Sequence, residues 1–244
     1  MSEQEEAAGT KQEGEGEKKF HWPPLESNPE IMTEYLHKIG LSPSFGIGEV
    51  YGFDEDLLAF LPQPIYGIIV AFERLNRNND ITKGDKDNVG FVDFYMDQSG
   101  TLDNACGIIA CIHAILNNKS FVDIVPDSVL DKFAKENENK TPAERCKSLE
   151  ENNGFREMHT KFANKGQSAT ITNAKDQKKV KHHYVAFVAL HGKLIELDGT
   201  KQGPNIIEGD CHDVLRGTIS EIQKRLANGE ISESLSMMTL NVAA

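Results

Sequence analysis

The sequence has no hydrophobic run of the twenty or so residues that a bilayer-spanning helix needs, which excludes a membrane role built on such a helix. It has no apolar leader of the secretory kind either, so the expectation is a chain of the cytoplasm or the nucleus, with reduced thiols. Its four cysteines, at 106, 111, 146 and 211, form no CxxC pair and no zinc-ligand spacing. A disulfide framework and a structural metal are therefore not expected, and no cofactor is implied. Basic residues are also in short supply. Lysine and arginine number 26 against 38 acidic residues, a net charge of −12, which argues against nucleic acid as a partner and favours basic protein surfaces. There is no internal repeat.

What is present is enough for a core. The chain has 244 residues, of which 39% are hydrophobic, room for one large domain or two small ones. Residues 1–19 are Gly/Glu/Lys-rich without apolar periodicity and read as a disordered acidic tail carrying Glu3, Glu5, Glu6, Glu13, Glu15 and Glu17. Ser27 or Asn28 caps a predicted helix with Pro29 at its first position, an apolar stripe through Ile31, Met32, Tyr35, Leu36 and Ile39, and a stop at Gly40. Val50–Phe53 reads as a short strand and Asp54–Phe60 as a short helix ended by Pro62 and Pro64. Ile65–Phe72 is a continuous β-rich run suited to a central strand buried on both faces. Residues 73–88 read as a surface loop, Phe91–Met96 as a strand, 128–136 and 142–152 as polar helices, 213–227 as an amphipathic helix and Met237–Val242 as a closing strand. Residues 164–181 are polar throughout and long for a structureless connection, which suits a lid or binding loop as well as a plain insertion. The mixture predicts an α+β domain with a mainly antiparallel sheet.

Two places carry chemistry. From Ile108 to Leu116 nearly every residue is apolar on all sides, so the helix must be packed all round. Asp103 or Asn104 can cap it, and Cys106 falls in its first turn, where free N–H groups and the helix dipole favour a thiolate. A lone cysteine there is more often a small buried hydrophobe; a base and a group to orient the base would change that reading. The run His183–Leu190, the turn His191-Gly192 and the run Lys193–Gly199 form a hairpin signature. It places His183, at the start of one strand, near Asp198, at the end of its partner. Carboxylate, imidazole and thiol would then form a Cys-His-Asp nucleophilic set. His182 points to the opposite face from His183, and alternation alone does not say which faces the thiol. His113 reads as a core histidine, Cys111 as core, and His21, His37, His159, His191 and His212 as surface residues.

These segments resemble the ubiquitin C-terminal hydrolases. Asn104-Ala105-Cys106-Gly107, with Ile112-His113-Ala114 and Asn117-Asn118, is similar to their nucleophile segment. His183-Tyr184-Val185-Ala186 and Glu196-Leu197-Asp198-Gly199 are similar to their base and orienting segments, and Trp22–Pro29 with Val50-Tyr51-Gly52 to their opening. The likeness runs from about Trp22 to Val242 and is greatest to the short, single-domain members. It implies a catalytic domain over residues 20–244 with a papain-like cysteine protease fold, a central antiparallel sheet flanked by helices and a knotted backbone. It implies ubiquitin as partner, a monomer, and hydrolysis of small or unfolded adducts from ubiquitin's C-terminal glycine. Cys106 would be the nucleophile, His183 the base and then the acid, and Asp198 its orienter. Residues 160–181 would be the loop crossing the site and limiting the leaving group. Ubiquitin's basic tail and binding face would suit an acidic chain.

The sequence departs from the family at one position. The family's oxyanion-stabilising Gln stands six residues before the nucleophile, where this chain has Gly100. Gln98 is eight before it, so a two-residue insertion that bulges outward leaves Gln98 in place. If the loop does not bulge, one oxyanion donor is lost, at a cost of about 10²–10³ in rate. The alternative function is then a ubiquitin-binding protein with low turnover. A thioester-forming acyltransferase with the same three residues is a further, more distant alternative.

Overall fold

The computed structural model describes residues 20–75, 84–165 and 182–243. The predicted tail, and the part of the predicted crossing loop from 166 to 181, lie outside the described residues.

A six-stranded sheet organises the chain. Its strands are β1 (Phe45–Glu49), β2 (Ile65–Arg74), β3 (His182–Leu190), β4 (Lys193–Leu197), β5 (Asn205–Ile206) and β6 (Ile231–Val242), in the order β1-β6-β2-β3-β4-β5. Every pairing is antiparallel. Among the described residues seven α-helices flank it: α1 (Pro29–Ile39), α2 (Glu55–Leu58), α3 (Cys106–Leu116), α4 (Val129–Glu136), α5 (Pro142–Glu151), α6 (Asn153–Ala163) and α7 (Val214–Ala227). The expected α+β class with an antiparallel sheet between helices is what the structure has.

The sheet divides the apolar residues between two cores by strand alternation. Ile69 and Ala71 of β2 and Ala186 and Val188 of β3 face the core built with α1, α3 and α4–α6. Ile68, Val70 and Phe72, with Val185 and Phe187, face the core built with α7. β2 and β3 are therefore buried on both faces, as their unbroken apolar runs require. α3 lies between the sheet and the other helices of its core, and every one of its residues is buried. That is why it is apolar all round rather than striped.

Caps set the ends of the first helix as predicted. Asn28 Oδ1 accepts from the N–H groups of Glu30 and Ile31, Pro29 holds the first position, and Gly40 closes the helix at φ 127°. The β3–β4 hairpin turns on His191 and Gly192, both at positive φ, the two-residue geometry that matches strand twist.

Three predicted elements differ. The strand predicted at Val50–Phe53 lies earlier, at Phe45–Glu49, and Tyr51 is 81% exposed. Gly48 explains the shift, because a Cβ there would come within 2.7 Å of the Thr239 hydroxyl on β6; this edge strand is built on close approach rather than on bulky residues. Phe91–Met96 is no strand: a 3₁₀ turn covers Lys86–Phe91 and an extended run follows. Residues 160–163, expected in the crossing loop, complete α6, a helix not anticipated from the sequence.

Candidate active site

Cys106 opens α3, and its approach differs from the expected one. Neither Asp103 nor Asn104 caps the helix; Ala105 holds the N-cap position and no side chain bonds the first turn. A 3₁₀ turn over Gly100–Leu102 delivers the chain, with the Ala105 N–H donating to Leu102 O at 2.9 Å. Forgoing a side-chain cap costs about 1 kcal/mol and leaves the first-turn N–H groups free of side-chain acceptors, in the place where an anion would meet them. Cys106 itself is buried, 8% exposed.

The hairpin register brings the other two predicted residues together. Ala186 pairs with Leu197, which sets His183 diagonally from Asp198 just beyond the ladder. His183 Nε2 donates to Asp198 Oδ1 at 2.7 Å, and the Cys106 thiol lies close enough to strengthen the hold of the imidazole on its proton. With Nε2 committed to the carboxylate, Nδ1 is left for the sulfur. His182 turns away, exposed, to the Ser234 carbonyl and hydroxyl, which settles the choice that alternation left open.

Asp198 is the most heavily bonded group of the site. Besides His183, its Oδ1 accepts from the Thr200 N–H at 3.0 Å and hydroxyl at 2.7 Å, and its Oδ2 accepts from Arg74 Nη2. Burial favours the neutral acid, but the His183 hydrogen bond and charge, with Arg74 and Thr200, overcome it and hold the carboxyl well below the usual range. Burial likewise opposes a charge on His183, and Asp198, with Cys106 behind it, holds that imidazole up to about 9. His183 thus carries a proton at neutral pH.

Gln98 is positioned by the extended run before it, whose backbone is bonded by side chains instead of a neighbouring strand. Asn117 accepts from the Phe94 N–H at 3.1 Å and donates to Phe94 O at 2.7 Å. His113 Nε2 accepts from the Met96 N–H at 3.0 Å, and Arg145 donates to Tyr95 O at 2.9 Å. The Gln98 N–H then donates to Gly199 O at 2.7 Å, beside Asp198, while its side-chain amide donates to Asp103 O at 2.9 Å. After Gln98 the loop leans on α5, where the Thr101 N–H and hydroxyl donate to Glu150 Oε1. Gly100 stands there at φ 65°, away from Gly199.

Sequence reasoning overlooked three contributors: Arg74, Thr200 and Tyr95. The Tyr95 hydroxyl is shared between Asp198 O (2.7 Å) and Lys201 O (2.8 Å), and its ring stacks on His113 at 5.2 Å. Asp-x-Thr at 198–200 was a readable signal for a local side-chain turn; a single Arg ending an apolar strand was not. His113 is a core residue as read, pushed down to about 4, chiefly by burial. His159, read as surface, is fully buried. It donates to Pro23 O at 2.6 Å, packs edge-on to Trp22, and is pushed down to about 4 by burial. Among the described residues no cluster of side chains could hold a metal ion.

The profile of the family "Ubiquitin carboxyl-terminal hydrolase, family 1" matches residues 22–227. A ubiquitin carboxyl-terminal hydrolase of Drosophila melanogaster is 38% identical over 190 residues, covering 75% of this chain and 80% of the relative. Ubiquitin carboxyl-terminal hydrolase 3 of Arabidopsis thaliana is 34% identical over 193 residues, covering 75% and 77%. In fold, the chain is similar to the Trichinella spiralis UCH37 catalytic domain bound to ubiquitin vinyl methyl ester. That likeness has a TM-score of 0.73 at 24% identity and covers 92% of this chain and 97% of the other. The chain belongs to this family of deubiquitinating cysteine peptidases.

Proposed function

We propose, with membership of that family as the premise, that this chain cleaves the bond following the C-terminal glycine of ubiquitin through Cys106, His183, Asp198 and Gln98. The observation that carries the reading is the meeting of a buried helix tip bearing a thiol with a His–Asp pair held at 2.7 Å.

The chemistry follows from these atoms. The proton shared between Cys106 and His183 rests on His183 Nδ1 as the sulfur attacks the glycine carbonyl carbon. The carbonyl π pair moves to oxygen, where the Cys106 N–H and the Gln98 amide, released from Asp103 O, donate to it. Collapse breaks the bond to the leaving group, which takes its proton from His183. Water, deprotonated by His183, then attacks the thioester and returns the thiol. Asp198 stays ionised and keeps Nε2–H pointed at itself. Two features support Gln98 as the oxyanion donor despite its spacing: its backbone is tied to Gly199, and the extra loop length is taken up towards α5.

The leaving group is small or unfolded and the enzyme acts as a monomer in the cytoplasm or nucleus; these parts rest on the family resemblance. No described helix is long and apolar enough to cross a membrane.

The test is release of a fluorescent amine from ubiquitin's C-terminus by the native chain and by Cys106→Ala. Activity that disappears in the variant supports the reading. Absence of activity in reduced, folded native protein that still binds ubiquitin would overturn it in favour of a low-turnover binding role. Ubiquitin fused to a short peptide should be cut much faster than ubiquitin fused to a folded domain; equal rates would remove the size limit.

A further inference from the structure

We infer that Arg74 is a positioning residue that fixes the outer oxygen of Asp198 and, through it, sets how tightly His183 holds its proton. The inference rests on the catalytic reading of Cys106, His183 and Asp198 given above.

Arg74 ends β2, next to β3 and directly across the sheet from the start of the hairpin; Phe72, two residues earlier, pairs with His183. Its guanidinium lies 6.0 Å from the Phe72 ring centre and reaches on to Asp198 Oδ2. The ion pair joins an Arg side chain that is 25% exposed to a carboxylate that is 1% exposed.

The geometry is a poor one for stability. One N–H reaches the carboxylate, whereas Arg and a carboxylate bond best through two parallel N–H groups. Arg74 Nε is buried with no hydrogen-bond partner. A buried donor left unmatched asks for a reason other than holding the fold, and the reason here is the partner. All the other hydrogen bonds to the Asp198 side chain, from His183 and Thr200, fall on Oδ1. Arg74 gives Oδ2 its donor, so the carboxylate does not rotate to exchange its oxygens. It also offsets part of the negative charge that His183 feels.

The charged and titratable groups around the pair define the balance. Arg74 comes from β2, His183 from β3, Cys106 and His113 from α3, and Tyr95 from the extended run. His113 is neutral in this environment and Tyr95 keeps its proton under the combined effect of burial and Asp198. Arg74 thus supplies the set with its guanidinium cation. Without it Asp198 pulls harder on the imidazolium, and a more weakly acidic His183 delivers its proton to the leaving group more slowly.

The experiment compares kcat, KM and the alkaline limb of the pH–rate profile in native protein, Arg74→Met, Arg74→Gln and Arg74→Lys, with ubiquitin fluorogenic amide as substrate. Folding is checked by thermal melting, and the intact nucleophile by stoichiometric labelling with a ubiquitin C-terminal electrophile. Arg74→Met should lower kcat roughly five- to tenfold, about one pKa unit's worth of proton-transfer free energy, with KM within about twofold. Its alkaline limb should move to higher pH. Arg74→Lys should restore both, and Arg74→Gln, which keeps a donor without the charge, should still show the raised limb. If Arg74→Met does not fold, the Gln and Lys pair carries the same contrast. Native kcat, or a limb that stays put or moves down, in a folded and labelled variant overturns the role. Failure of the catalytic reading shows differently, as activity that survives Cys106→Ala.

Discussion

Strand β4 and the residue that follows it present two buried carboxylates two positions apart, Glu196 and Asp198, and the chain matches them in opposite ways. Glu196 meets Arg225 through two parallel N–H bonds of 2.8 and 2.9 Å, and both side chains are almost wholly buried. Asn205 donates to Glu196 Oε2, and Glu221 takes the Arg225 Nε–H. That network is saturated. Asp198 instead divides its oxygens among the His183 imidazole, a hydroxyl, a backbone N–H and one edge of an incompletely bonded guanidinium. The first arrangement fastens α7 to the sheet. The second keeps a charge in place while leaving its neighbour free to change protonation. Burial and an ion pair are common to both; what separates a fastening from the proposed working site is whether the partner can give up its proton.

This contrast can be broken from either side. Glu196→Gln should cost the most stability, about 3–5 kcal/mol, because it leaves a buried cation short of its partner. Chemical denaturation measures the loss, and kcat per folded molecule should stay native. Asp198→Asn should do the reverse. It should lower kcat by about 10²–10⁴, the range for general acid–base contributions. It should also bring the alkaline limb down from near 9 towards the ordinary imidazole value of 6.5, as a pH–rate profile would show. Gln98→Ala should lower kcat by about 10²–10³ with little change in KM or melting temperature, and a native rate would remove Gln98 from the oxyanion site.

The smallest effect sharpens the comparison by pH. Asp198 is held below its ordinary 3.8, so its contribution to stability is present above that value and lost as pH falls through the folded one. His183 is held above its ordinary 6.5, so its contribution is complete below 6.5 and lost as pH rises through about 9. Melting temperature of the native chain should therefore decline between pH 6.5 and 9, and that decline should be absent in His183→Ala.

Much of this was readable from local chemistry. Asn28, Pro29 and Gly40 bracket α1, the unbroken apolar run of β2 announces a strand covered on both faces, and His191-Gly192 announces the hairpin that carries His183 and Asp198. What could not be read depends on contacts distant in the chain. Phe91–Met96 has strand-like composition, yet its ladder partners are the side chains of Asn117, His113 and Arg145, which no window of neighbouring residues reveals. The helix tip at Cys106 goes without the cap that Asp103 and Asn104 offered, because the 3₁₀ turn at Gly100–Leu102 sets the point of entry. His159 is polar in sequence context but becomes core once Trp22 and Pro23 close over it. Arg74 is one basic residue at a strand end until the sheet brings it to Asp198.

The bond from the Gln98 N–H to Gly199 O has a consequence for how such chains can be compared. It welds the segment before the loop to the turn after β4, while the stretch from Ser99 to Ala105 is slack that ties instead to α5. With Gln98 as the proposed oxyanion donor, counting backward from Cys106 is a faulty ruler, because the slack lies between the count and its target. Counting from the weld is a sound one. A relative that gained or lost residues in that loop would shift its numbering without displacing the amide, so a search for the equivalent side chain should start from the residue facing the turn after β4.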